Sequence, residues 1–206
     1  MIMGLVKKPA AAPEPPPSLG PDDLIALLDH PDPERRREAA LDLAGVPEAV
    51  PGLLARAGLE TEPRVRDAVL TTLAGHDTEA VAAGLAVHLA SDDAGLRTAV
   101  AEALATMPGS VPALLPDLLA APDHDVRVMT AMVLADLPDP EARTWLVRMI
   151  TDDPHPNVVT AAIDALLPGA GPEHAAVLEA AAQRFPDDPF LIFTVRAALP
   201  RLTGTA

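Results

Sequence analysis

The chain has 206 residues and a formal net charge of −15; 49% of it is apolar, yet it holds only three Phe, one Trp and no Tyr. So acidic a body repels a phosphate backbone and an anionic lipid surface alike, because both are bound chiefly by cations. Cysteine is missing, which excludes disulfides and thiolate chemistry, and no apolar run is long enough to span a bilayer. Residues 1–6 are too short for the apolar core of a signal peptide, and Lys7 and Lys8 follow that stretch instead of preceding it. The default location is therefore cytoplasmic.

Residues 1–21 hold six prolines, at positions 9, 13, 15, 16, 17 and 21, and cannot continue a helix or strand. A disordered or polyproline II tail is expected there, whether translation starts at Met1 or at Met3. From residue 22 two kinds of segment alternate. The first kind carries Leu, Ile or Val at helical spacing over 22–30, 47–60, 77–91, 109–121, 139–152 and 172–185. The second kind covers 34–45, 64–75, 94–107, 125–137, 157–167 and 189–202. Short turns rich in Pro and Asp join them, such as Pro31-Asp32-Pro33 and Pro186-Asp187-Asp188-Pro189. Pro cannot prolong the preceding helix but fits the first turn of the next, and Asp can cap that helix.

One register runs through the second segments. Arg36, Arg66, Arg97 and Arg127 recur at intervals of 30, 31 and 30 residues, each four after Asp32, Glu62, Asp93 and Asp123. Seven residues after each arginine comes Leu43, Leu73, Leu104 or Leu134, with Leu166 and Leu199 continuing the column. A period near 30 residues marks a repeat solenoid. Each second segment carries one narrow apolar stripe, such as Val65, Val69 and Leu73, or Val126, Thr130 and Leu134. A stripe of that width is stable only when buried against neighbouring units. The fold class expected is all-α: a solenoid of about six helix pairs over residues 22–202, with residues 203–206 frayed. No segment shows sustained alternation, so strands are not expected.

These motifs resemble the HEAT repeat, in its short bacterial variety known as HEAT-like or PBS-lyase HEAT-like. That family's turn reads Asp-Pro-x-Val-Arg before an Ala-rich helix ending in Leu. It appears here as Asp32-Pro33-Glu34-Arg35-Arg36, Glu62-Pro63-Arg64-Val65-Arg66, Asp93-Ala94-Gly95-Leu96-Arg97 and Asp123-His124-Asp125-Val126-Arg127. Val159 and Ile192 replace the arginine in the last two copies, and His155 replaces the Asp of the fifth. The resemblance implies an α-solenoid and leaves function open, because one fold hosts many functions. In HEAT-type stacks the second helices line the concave face. The family also includes subunits of bilin lyases and isomerases, so an accessory subunit of such an enzyme stays open beside a scaffold and a structural subunit of a larger assembly.

The Asp/Glu and Arg columns predict a structural ladder in which each guanidinium meets a turn carboxylate of its own or the adjacent unit. No nucleotide loop, nucleophile elbow, His-Glu iron pair or zinc spacing is found. His30, His124 and His155 fall at inter-helix turns. A unit spacing of about 10 Å sets them too far apart to share a metal ion at ~2 Å bonds. A non-catalytic chain with no cofactor and no metal is expected, bound to a protein partner and to neither nucleic acid nor membrane.

The candidate docking face follows from offsets two, five and nine after each turn acid, which should point outward from the second helices. They begin charged, with Glu34, Arg37 and Leu41, and end apolar, with Val128 and Met132 in the fourth unit and Phe190, Phe193 and Ala197 in the sixth. Met129 stands beside the fourth set, and adaptable Met side chains are common on binding surfaces. A terminal repeat ought to be polar outside, so Phe190, Leu191 and Phe193 imply a cover, either the tail or a second subunit. Trp145 can be core or an interface anchor.

Overall fold

A computed structural model describes residues 19–204; the expectations for the Pro-rich tail before residue 19 and for residues 205–206 lie outside it. The described residues form twelve α-helices and no strand, arranged as six consecutive pairs. The first helices are α1 (Pro21–Leu27), α3 (Val50–Leu59), α5 (Glu79–Ala86), α7 (Val111–Leu119), α9 (Ala142–Asp152) and α11 (Ala175–Arg184). Their partners are α2 (Pro33–Asp42), α4 (Pro63–Ala74), α6 (Ala94–Ala105), α8 (His124–Asp136), α10 (Pro156–Leu166) and α12 (Pro189–Thr203). Short 3₁₀ turns precede α3 and α11 and follow α5 and α10. Pro21 opens α1 instead of closing the tail, and α12 runs to Thr203 before Gly204 stops it in a left-handed conformation (φ 68°), the αL ending that glycine reaches without strain.

The turns work as their chemistry requires. Asp32, Asp93, Asp123 and Asp188 each accept a backbone N–H of the helix they precede. Proline fills the first position of α2, α4, α10 and α12, where its missing N–H costs nothing. His155 takes the capping place in unit five, its Nδ1 accepting the Asn157 N–H. Asp77 is the one described non-glycine residue with positive φ. Its carboxylate accepts the Gly109 N–H and the Ser110 hydroxyl at 2.8 and 2.7 Å, tying the turn of unit three to the start of unit four.

Each first helix packs on its own second helix, and the second helices pack in series from α2 to α12. Leu43, Leu73, Leu104, Leu134 and Leu166 are buried in one continuous core; burial of such a side chain contributes about 1.5–3 kcal/mol. Leu199 is only partly covered, because among the described residues no further unit packs on it. The expected stripes of units two to five are all buried, through Val158, Ala162 and Leu166.

The ends of the stack are built differently from its middle. The Thr72 hydroxyl of α4 donates to the Ala40 carbonyl of α2, so positions equivalent to Thr72 face the preceding unit and those equivalent to Ala40 face the following one. Toward the following unit the column reads Ala40, Leu70, Ala101, Ala131 and Ile163, all buried, and then Arg196, which is exposed. Toward the preceding unit, Val65, Leu96, Val126, Val158 and Leu191 are buried, whereas unit one has exposed Arg35 in that column, with Glu38 and Asp42 beside it. The outer side of unit one is thus charged, whereas that of unit six mixes Arg196 with half-buried Ile192 and Leu199.

Candidate partner-binding surfaces

The arginine column forms a seam along one edge of the stack, and its constant element is a carbonyl. Each arginine donates to the backbone oxygen six residues before it: Arg36 to His30, Arg66 to Glu60, Arg97 to Ser91 and Arg127 to Ala121. Those oxygens close the first helices, whose last carbonyls have no partner within the helix. Where Val159 replaces the arginine, Arg184 reaches back from α11 to the carbonyls of Ile150, Thr151 and Asp153. Asp153 lies six residues before Val159, so the same carbonyl position is served by another side chain.

The carboxylates vary more, and here the structure corrects the expected pairing. Arg36 meets Glu60, not Glu62, through Nε–Oε2 and Nη2–Oε1 contacts of 2.8 and 3.0 Å. Arg56 shares the same carboxylate at 2.7 Å, and Glu60 also accepts the Glu62 N–H. Glu62 itself makes no capping bond. Burial alone would push the Glu60 carboxyl up; the hydrogen bonds from Arg36, Glu62 and Arg56 outweigh it and hold the group at about 2. Arg127 meets Asp153 through two bonds of 2.7 and 3.1 Å, not Asp123. Arg66 meets Asp93 as the column requires, at 2.8 Å, while Asp32 and Asp123 serve as helix caps. Arg97 has no carboxylate within ion-pair distance among the described residues.

His124 and His155 also depart from expectation. Their rings stack at 3.9 Å between centroids although they belong to adjacent units, because unit spacing measured between helix axes does not limit side chains that lean toward each other across a turn. Among the described residues no group of three or more His, Asp or Glu is placed to hold a metal ion.

On the second-helix face, Phe190 and Phe193 are exposed by 63% and 67%, and Met132 by 41%. Val128 is half-buried. Met129 is core, at 7% exposure; one step along a helix turns a side chain by about 100°, which carries it from the face at Val128 into the buried core. Thr160 occupies an outward offset but is buried as well. Asp164, between the Met132 and Phe193 levels, is exposed, and partial desolvation by its neighbours raises its carboxyl. Trp145 is half-buried on α9 with the Arg148 guanidinium 4.7 Å from its ring centroid. It lines a cleft of about 740 Å³ between α7 and α9. No helix among the described residues is long and apolar enough to cross a membrane.

Similarity to known proteins bears on the fold. A crystal structure of an engineered protein aligns at 21% identity over 89% of this chain and 96% of that one, with a TM-score of 0.38. A second engineered protein aligns at 20% identity over 91% and 100%, TM-score 0.39. The complex of CpcE and CpcF of phycocyanin lyase from Nostoc sp. PCC7120 aligns at 16% identity over 94% and 100%, TM-score 0.39. No curated protein matches. A family model of HEAT repeats matches residues 21–105 and 111–198, most of the chain.

Proposed function

The chain belongs to the HEAT-repeat family, and we propose that it is a non-catalytic, cytoplasmic scaffold that holds a protein partner on its second-helix face. The observation that carries this reading is the exposure of Phe190 and Phe193: two of the chain's three phenylalanines stand in solvent at 63% and 67%. Large aromatic side chains are enriched at interface hot spots, and these two extend a face that already carries Met132. The charge of −15 disfavours nucleic acid and anionic membrane as partners. The seam arginines are committed to carbonyls and carboxylates, which leaves the exposed aromatics as the surface best suited to a partner. A protein partner is the class that these features favour.

The test is affinity capture with the wild-type chain and with the Phe190→Ala/Phe193→Ala double variant. Both side chains are exposed, so helicity and melting temperature should be unchanged. The partner should be lost selectively, since removal of an aromatic hot spot costs on the order of 2 kcal/mol or more. Identical capture by the two proteins would remove this face from consideration.

A further inference from the structure

First helices pack in series from α3 to α7, and again from α9 to α11, but α7 and α9 stand apart. Pro116 lies inside α7, which ends at Leu119, and the connection into α9 carries Pro138 and Pro140. The gap is the cleft of about 740 Å³, a volume ordinary for a binding site. Leu119 and Ala120 form one wall, and Trp145 and Met149 the other.

The polar groups of the cleft are unequal. Arg127 is held by Asp153 and by the Ala121 carbonyl. Arg148 rests on the indole of Trp145 and makes no ion pair among the described residues, with the Asp152 carboxylate one turn further along the same wall. An indole in a partly apolar cleft, beside an exposed guanidinium that makes no ion pair, suits a proline-rich segment bearing an acid. Proline-rich segments dock in aromatic-lined grooves with little loss of conformational entropy, and a carboxylate within one would meet the guanidinium.

The chain itself contains such a segment. Pro13-Glu14-Pro15-Pro16-Pro17 holds the only consecutive prolines of the sequence, and Glu14 is the only acid in residues 1–21. Its own cleft is out of reach. Ser18 alone separates Pro17 from Leu19, a link spanning no more than about 7 Å. The cleft lies between units four and five, some three units from α1, or about 25–30 Å at helix-packing distances. We propose that the cleft between α7 and α9 receives residues 13–17 of a second copy of this chain, with prolines against Trp145 and Glu14 paired with Arg148. The surface is separate from the Phe190/Phe193 face, so this proposal and the scaffold reading stand or fall independently.

Trp145 is the only tryptophan, so its emission reports the cleft alone. The full-length chain is diluted through a concentration series by sedimentation velocity, with Trp145 emission followed in parallel. Self-association is expected, with the emission shifting to shorter wavelength as copies associate. A synthetic peptide of residues 9–19 should compete and dissociate the complex. Arg148→Glu and Glu14→Arg should each weaken association about tenfold or more, and the two reversals combined should restore it, which a merely misfolded variant could not do. A chain that stays monomeric up to about 100 µM with constant Trp145 emission overturns the proposal. So does self-association that neither charge reversal alters.

Discussion

Arg36 in unit one donates to a carboxylate whose side chain is fully buried, whereas Arg97, in the same place of unit three, donates to the Ser91 carbonyl alone. Both close the preceding first helix; they differ in what else depends on them. At the first seam a buried Glu60 is shared by Arg36 and Arg56, so three charges and the Glu62 N–H stand or fall together. At the third seam one arginine meets one neutral oxygen. The column therefore has a constant purpose, satisfaction of a helix-terminal carbonyl, and a variable electrostatic load. Arg184 makes the same point from the other side, since it serves unit five from a different helix.

The sharpest way to break this comparison is to empty the first seam. Glu60→Ala should destabilise the protein by about 3–5 kcal/mol, because it strands two partly buried guanidinium groups without their counter-charge. Glu60→Gln should cost less, as the amide oxygen still accepts hydrogen bonds. Urea unfolding followed by circular dichroism measures both. If Glu60→Ala costs no more than Arg97→Ala, the two seams are energetically equal and the distinction fails.

Acid should expose the same asymmetry. The Glu60 carboxyl falls from an ordinary 4.5 to about 2 on folding, so its stabilising contribution is complete above about pH 4.5 and is lost as the pH falls toward 2. At about 1.4 kcal/mol per unit, the loss amounts to roughly 3 kcal/mol. Urea midpoints measured between pH 5 and pH 2 should fall steeply in the wild type. In Glu60→Gln, already lower at pH 5, the fall should be shallower by about that amount. Parallel curves for the two proteins would place the acid sensitivity elsewhere.

What could be read from the sequence was what local chemistry fixes. Pro and Asp set the turns, and the leucine column and the stripes set the core, so the six pairs were legible. The seam was legible on its arginine side, but on its carboxylate side only at Arg66–Asp93. Glu62 keeps the column's register, but Glu60 keeps the contact, and its one local signal was the i,i+4 spacing to Arg56, a pairing that helices favour. Asp153 stands in for the column in the same way, two residues before His155. Met129 shows the limit of offset counting, since one position separates the outer face from the buried core. The His124–His155 stack and the α7/α9 cleft depend on how two units lean, and no spacing within either unit encodes that.

The smallest expected effect tests the neutral seam itself. The Arg97 Nη1 lies 2.6 Å from the Ser91 carbonyl, and its removal leaves a helix-terminal oxygen unpaired in a half-buried turn. Arg97→Ala should therefore cost on the order of 1 kcal/mol, typical of a lost intramolecular hydrogen bond. Arg37 provides the reference, because its one ion pair is to Glu34, 3.1 Å away on an open surface where the two side chains are 40% and 61% exposed. Such a pair is screened and worth little, so Arg37→Ala should change stability by less than about 0.5 kcal/mol. The difference can be read as a shift in urea midpoint at constant m-value. Equal shifts would mean that the carbonyl is as well satisfied by water as by the arginine, and the constant element of the seam would then carry no stability of its own.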